Sequence, residues 1–185
     1  MKITTTKLEG VYIIEPTVIK DSRGCFFVEF IKDEFKDIIC PSVGKNIFVQ
    51  HNCSISNPNV LRGIHYQLAH PQGKLVSVVH GEIYDVAVDL TKSSSTFGEY
   101  IGVTLSASNK KQLWVPPYYG HGFLVTSKNN AVVQYKVTEY YYPEDERCIL
   151  WYDPTINVKW PIVGAEPSTS EKDNNGSTLL SAPVY

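Results

Sequence analysis

Cysteine, net charge and long apolar runs are all scarce in this chain. Its four cysteines, Cys25, Cys40, Cys53 and Cys148, lie far apart and form no Cys-x-x-Cys pair. That spacing supports neither a thiolate zinc cluster nor a disulfide framework, and four reduced, mostly structural thiols are expected. No stretch approaches the about 20 apolar residues of a membrane-spanning helix. The opening Met1-Lys2-Ile3-Thr4-Thr5 lacks the apolar run of a secretory leader, so a cytoplasmic protein is expected. The formal net charge of -2 carries no bias toward nucleic acid or membrane surfaces, and neither is expected as a partner. An anionic small molecule stays open, because a few local arginines and lysines suffice to hold one. Three signatures are also missing: the Gly-x-x-x-x-Gly-Lys-Ser/Thr loop, the Gly-x-Gly-x-x-Gly turn and the Gly-x-Ser-x-Gly elbow. With no dinucleotide fold to carry redox chemistry, an acid–base reaction on a bound small molecule remains.

What is present is strand patterning. At 185 residues, 43% hydrophobic and 19% charged, the chain fits one folded domain over residues 1–185. Val133, Tyr135 and Val137 alternate on one face of the run from Val132 to Thr138. Ser77-Val78-Val79 and Ile83 to Val88 flank His80-Gly81, a turn-like break. Further β-rich runs cover Val11 to Ile19, Phe26 to Ile31, Ile47 to Ile55, Val60 to Gln67, Tyr100 to Leu105, Gln112 to Val115 and Gly122 to Val125. Asp33 to Ile39 reads as a short helix. Many short strands separated by Gly, Pro, Asn and Ser predict an all-β sandwich or barrel with one or two short helices. From Glu166 to Thr178 the sequence turns polar, which on composition alone is a loop or a loose tail.

Four side chains in these runs could carry chemistry. In Leu61-Arg62-Gly63-Ile64-His65-Tyr66-Gln67, alternation puts Gly63 and His65 on one face and Arg62 on the other. Gly63 then leaves room for a ligand beside the imidazole, although an isolated strand histidine is more often a hydrogen-bonded core residue. Lys74 opens an apolar strand. It reaches for solvent or points inward as a cation facing an oxyanion. Tyr135 is a core phenol with one satisfied hydrogen bond or a proton donor. His121 stands between Gly120 and Gly122. A metal-binding cupin offers a His-x-His pair with a nearby Glu, whereas here Gln67 stands two after His65, so no metal is expected.

Taken in order, several segments resemble the dTDP-4-dehydrorhamnose 3,5-epimerase family. They are Asp21-Ser22-Arg23-Gly24 with Phe26, Phe27 and Glu29, Gln50-His51-Asn52, Leu61 to Gln67, and Gln72-Gly73-Lys74-Leu75-Val76. Gly81 to Asp89, Gly120-His121-Gly122-Phe123 and Ser170-Glu171-Lys172-Asp173 complete the series. The likeness runs from about Leu8 to Asp173. It implies a cupin-type jelly roll that needs no metal or cofactor and forms a homodimer in which strands of one subunit complete the neighbour's site. The implied substrate is dTDP-4-keto-6-deoxy-D-glucose, inverted at C3 and C5. Inversion at one centre only, of this or a related nucleotide-linked 4-keto sugar, is the alternative. By motif position His65 resembles the base, Asp173 its orienting carboxylate, Lys74 the cation facing the enolate oxygen and Tyr135 the acid on the opposite face. Arg23 and Arg62 resemble the diphosphate clamp. Phe26 and Tyr141 pack around the nucleobase, Glu29, Gln50 and Asn52 offer polar contacts, and His121 contacts the sugar or a phosphate. The polar segment 166–185 then becomes a functional one packing near the site. Against the family pattern, His51 replaces an aspartate, and Tyr118-Tyr119-Gly120 replaces Gly-Phe-Ala, with Tyr119 expected to add a hydroxyl near the pocket. A metal-dependent cupin oxygenase or isomerase and a non-catalytic sugar-binding jelly roll are the rival classes.

Overall fold

The computed structural model describes residues 1–43 and 48–185. Two antiparallel sheets face each other. The six-stranded sheet runs β1 (Lys2–Thr5), β2 (Tyr12–Glu15), β10 (Gln112–Val115), β7 (Lys74–His80), β12 (Ala131–Val137), β5 (Gln50–Ser56). The five-stranded sheet runs β13 (Glu146–Cys148), β6 (Leu61–Gln67), β11 (Tyr119–Val125), β8 (Glu82–Asp89), β9 (Tyr100–Ser106). A separate two-stranded ribbon, β3 (Val18–Asp21) with β4 (Gly24–Phe27), precedes α1 (Lys32–Val43), and α2 (Glu171–Asn174) lies near the end. This is the all-β, cupin-like sandwich expected, with two short helices.

Alternation explains the layering. Val76 and Val78, Leu113 and Val115, and Val133 face inward from one sheet. They meet Ile83, Ala87, Leu105, Phe123 and Val125 of the other. The opposite parity of the same strands is covered as well. Leu75 and Trp114 pack under Phe35 of α1, and Ile64, Val86 and Val88 pack under Ile149, Ile156, Leu179 and Ala182. Burial on both faces is why β8 and β11 read as near-continuous apolar runs.

Most expected strands are present, with instructive differences. The run from Val11 to Ile19 splits into β2 and β3 at Pro16, which has no N–H to donate to a ladder. The run from Phe26 to Ile31 is strand only through Phe27, and the helix is longer than Asp33 to Ile39. Ile47, at the start of one expected run, lies outside the described residues, as does the side chain of Cys40. The break at His80-Gly81 is a corner between the two sheets rather than a hairpin within one, and Gly81 takes φ 76° there. β1 and β13, of four and three residues, are too short for their periodicity to be read. No helix among the described residues is long and apolar enough to cross a membrane.

Candidate active site

A cavity of about 450 Å³ opens between the sheets. The six-stranded sheet contributes two cross-strand rows, Gln50–Val137–Lys74 and Asn52–Tyr135–Val76, fixed by the β5–β12–β7 register. The five-stranded sheet contributes a row through His65, His121 and Ala87. The sandwich therefore sets Lys74 and Tyr135 on one wall and His65 and His121 on the other.

The position of Arg62 corrects the simple alternation. His121 pairs with His65 and Phe123 with Arg62, so β6 spends three residues where β11 spends two. This bulge opposes Gly63 and Ile64 to Gly122 and shifts the phase, bringing Arg62 and His65 to the same cavity. Gly63 does not make room for a ligand. Its φ is 116°, and a Cβ there would sit 2.5 Å from the Cα of Gly122, so the glycine permits the close approach of two backbones. Arg62 Nε donates to Ser56 Oγ at 3.0 Å, which aims the guanidinium.

His65 Nε2 is buried 2.8 Å from Asp173 Oδ1, with the carboxylate off the imidazole N–H axis. Asp173 reaches that place because the tail is anchored. Ser168 bridges Val60 and Ser177 bridges Ile149, and Ser170 caps α2 in a capping box with Asp173. The tail read as loose on composition is thus pinned at three points. Asp173 also accepts from Gly63 N at 3.0 Å, Ser170 N at 3.1 Å and Ser170 Oγ at 2.6 Å. Burial alone would raise its carboxyl, but His65, Ser170 and Gly63 outweigh that and hold it well below the usual carboxylate range.

Lys74 is buried, with 8% of its surface exposed, and forms no ion pair among the described residues. Burial pushes its ammonium down to about 8, partly opposed by the charges of Glu146 and Asp85. It does not reach for solvent. Burial pushes the Tyr135 phenol up, against the pull of Arg62, so the group stays protonated. His121 Nε2 lies 2.8 Å from the fully buried Asp85 Oδ1, forming a second histidine–carboxylate pair behind the wall.

Two further charged residues line the cavity that sequence reasoning missed. Glu146 Oε1 lies 3.8 Å from His65 Nδ1, and its Oε2 accepts from Tyr141 Oη at 2.7 Å and from Lys172 Nζ. In sequence Glu146 belongs to the polar run Glu144-Asp145-Glu146-Arg147, which looks like a solvated turn. Gln67 and Gln72 donate to the carbonyls of Tyr140 and Glu139 and hold the Tyr141 segment at the cavity.

His65, Cys148 and Asp173 place ligand atoms within 4.8 Å of one another, a possible three-donor metal set. Their chemistry fits it poorly. Asp173 is already held by backbone and hydroxyl donors, and burial keeps the Cys148 thiol protonated, pushed up to about 12, whereas a metal needs the thiolate. Cys25, Cys53 and Cys148 are free thiols.

The family model described as dTDP-4-dehydrorhamnose 3,5-epimerase matches residues 5–181. A dTDP-4-dehydrorhamnose 3,5-epimerase of Pseudomonas aeruginosa is 44% identical over 100% of this chain and 99% of its own. The chain belongs to the dTDP-4-dehydrorhamnose 3,5-epimerase family. Among solved structures, an epimerase of Legionella pneumophila in complex with dTDP-4-keto-L-rhamnose matches with TM-score 0.91 and 42% identity, covering 98% of this chain and 94% of the other. A 3'-monoepimerase of Streptomyces bikiniensis in complex with dTDP-quinovose matches with TM-score 0.86 at 29% identity, over 95% and 87%.

Nine of the twelve residues expected from the family resemblance line the cavity: His65, Asp173, Tyr135, Lys74, Gln50, Asn52, Arg62, His121 and Tyr141. Arg23, Phe26 and Glu29 do not. Arg23 projects from the ribbon, paired only with neighbouring Asp21 at 2.6 Å among the described residues, and Phe26 is 65% exposed. The two departures from the family pattern fall outside the cavity. His51 is on the outer side of β5, 3.5 Å from Lys136 Nζ. Tyr119 points into the core and donates to Glu9 O at 2.8 Å, so it adds no hydroxyl to the pocket.

Proposed function

We propose that the chain inverts C3 and C5 of dTDP-4-keto-6-deoxy-D-glucose, giving dTDP-4-keto-L-rhamnose, with His65 as base and Tyr135 as acid. The observation that carries this reading is the position of the two groups on opposite walls of one cavity. A sugar ring lying between the sheets meets a base on one face and a proton donor on the other, which is what inversion at carbon requires. The 4-keto group acidifies the hydrogens on C3 and C5, because the electron pair left by each C–H bond spreads onto O4. Nε2 of His65 is buried against Asp173, so Nδ1 on the other side of the ring takes the proton. The buried Lys74 ammonium faces the oxygen on which charge develops. Tyr135 then returns a proton to carbon from the far face, and the ketone re-forms.

Arg62 holds the diphosphate as a planar fork suited to oxygen pairs. Gln50, Asn52, His121 and Tyr141 contact the rest of the nucleotide sugar. Arg23 and Phe26 come from the ribbon of a second copy, and Glu29 from the segment that follows it, so the working unit is a homodimer. The exposure of Ile19, Phe26 and Val28, at 63%, 65% and 47%, supports this, since an isolated two-stranded ribbon is marginally stable in water. The exposed free thiols Cys25 and Cys53 suit a reducing cytoplasm. Double inversion is preferred over inversion at one carbon because identity to 3,5-epimerases runs from 35% to 46%, above the 29% to the monoepimerase.

Subunit mixing tests both activity and the shared site. Wild type converts the dTDP sugar, while Arg23→Ala and His65→Asn are each close to inactive alone. Co-assembled in equal amounts, they form mixed dimers holding one intact site, and about a quarter of wild-type activity returns. An inert wild type overturns the activity. An active wild type with no recovery on mixing overturns the shared site.

A further inference from the structure

The ribbon that carries Arg23 and Phe26 has little to hold it. β3 and β4 pair only with each other and join neither large sheet. Ile19, Phe26 and Val28 are exposed, and a hairpin of two short strands does not keep its own direction in water. Its aim is therefore set at its root, residues 27–30, where the chain returns to the body of the sandwich.

Three contacts fix that root. Phe30 packs on Phe35 of α1 and on Phe48, with ring centres 5.0 and 5.2 Å apart. Lys110 Nζ lies 5.2 Å from the centre of the Phe27 ring. Gln112 Nε2 donates to the Glu29 carbonyl at 3.1 Å. Lys110 and Gln112 belong to one stiff feature, the turn from β9 into β10. Asn109 Oδ1 accepts there from Ser106 N at 3.1 Å and from Lys111 N at 2.9 Å. β10 itself is paired on both sides, with β2 and with β7, the strand of Lys74.

Gln112 is the contact that packing alone does not explain. It is 3% exposed, and its Oε1 is buried with no hydrogen-bond partner among the described residues. A buried amide left half satisfied costs stability, and a methionine would fill similar space without that cost. Gln112 does not line the active-site cavity of its own chain. What the amide supplies is direction. Its hydrogen bond fixes where Glu29, and the ribbon before it, leave the sheet, and an apolar contact has no such orientation.

We infer that Gln112, with Lys110 beside it, aims the ribbon so that Arg23 and Phe26 enter the site of the neighbouring subunit. Gln112 is thus a positioning residue for a site in the other chain. The inference rests on the shared site proposed above. Arg23 and Phe26 are assigned to the nucleotide, away from the reacting carbons. A misaimed ribbon therefore weakens substrate and transition state alike, and KM rises while kcat changes little.

Subunit mixing with Gln112→Met tests this. Alone, the variant should raise KM for dTDP-4-keto-6-deoxy-D-glucose by about 10–100-fold. Co-assembled in equal amounts with His65→Asn, it forms mixed dimers with one good site. That site uses the His65 of the Gln112→Met subunit and the ribbon of the His65→Asn subunit, whose Gln112 is intact. About a quarter of wild-type activity should return, at the wild-type KM. Mixing with Arg23→Ala should recover nothing, because both lesions sit on ribbons. A Gln112→Met enzyme with wild-type KM overturns the inference. So does a raised KM that His65→Asn fails to restore, since Gln112 would then act within its own subunit. The pair Arg23→Ala and His65→Asn is run alongside. If that pair recovers and Gln112→Met does not, the inference alone falls. If that pair fails, the shared site falls and takes the inference with it. Should Gln112→Met not fold, judged by loss of a cooperative thermal transition, Gln112→Asn is read in the same way, its shorter amide failing to reach the Glu29 carbonyl.

Discussion

Replacing His65 with asparagine is expected to lower turnover by about 10³-fold or more, at the upper part of what one general base supplies. Asparagine keeps a polar group near the position of Nδ1 and much of the side-chain volume but cannot take a proton from carbon. Deuterium exchange from heavy water into C3 and C5 should fall together with inversion, because the same nitrogen serves both carbons. Binding of dTDP should change little, since the contacts proposed for the nucleotide, at Arg62, Gln50 and Asn52, lie apart from His65. Retained exchange at either carbon in His65→Asn would assign that proton to another group, and His121, paired with Asp85 at 2.8 Å, is the nearest of its kind.

Lys74→Met is expected to separate function from stability more sharply than any other substitution. The ammonium lies buried without an ion pair among the described residues, and its folded pKa is about 8 against 10.5 ordinarily. Below pH 8 both folded and unfolded chains carry the proton, and the folded state bears the full cost of burying the charge. Between about 8 and 10.5 the unfolded chain binds the proton and the folded one does not, so wild-type stability rises with pH through that window. The shift corresponds to about 3 kcal/mol. Methionine fills the same space without charge, so the variant should be more stable than wild type at pH 7 by up to about that amount, with the difference narrowing toward pH 10.5. Denaturant unfolding at the two pH values measures this. Turnover should meanwhile fall by about a hundred- to thousandfold, the usual loss of one oxyanion-stabilising group. A less stable Lys74→Met at pH 7 would show that the ammonium is paired in solution, and the argument from an isolated buried charge would fail.

Much of this was legible in the sequence, for reasons that can be stated residue by residue. Alternation identified the face of β12 that carries Tyr135 with Val133 and Val137, because that strand keeps its parity through the site, but it left Lys74 open between solvent and the interior. The same rule failed on β6, where the bulge at Gly63–Ile64 adds one residue and returns Arg62 to the side of His65. A glycine inside a strand was the available signal, but such a glycine marks a bulge or a close backbone approach as readily as a ligand pocket. Composition made the tail a loop, and the motif order recovered Asp173. Only the fold shows that a capping box and two parallel bridges hold that carboxylate in place. Glu146 had no local signal at all, and Lys172 had one only through the Ser170–Asp173 motif. Glu146 reaches the cavity because β13 pairs with β6 beside His65, and Lys172 because α2 is capped and anchored there. Tyr119 erred the other way, since a tyrosine beside the pocket motif spends its hydroxyl on the backbone carbonyl of Glu9.

The central claim is that one base and one acid act on opposite faces of the same ring. Heavy-water NMR of wild type and Tyr135→Phe, with dTDP-4-keto-6-deoxy-D-glucose, tests it most directly. Wild type should place deuterium at both C3 and C5 with inversion at both. Tyr135→Phe should still wash deuterium into the sugar through His65 while forming little inverted product, because the far-face donor is gone. Normal inversion by Tyr135→Phe, or wild-type label at a single carbon, would contradict the account.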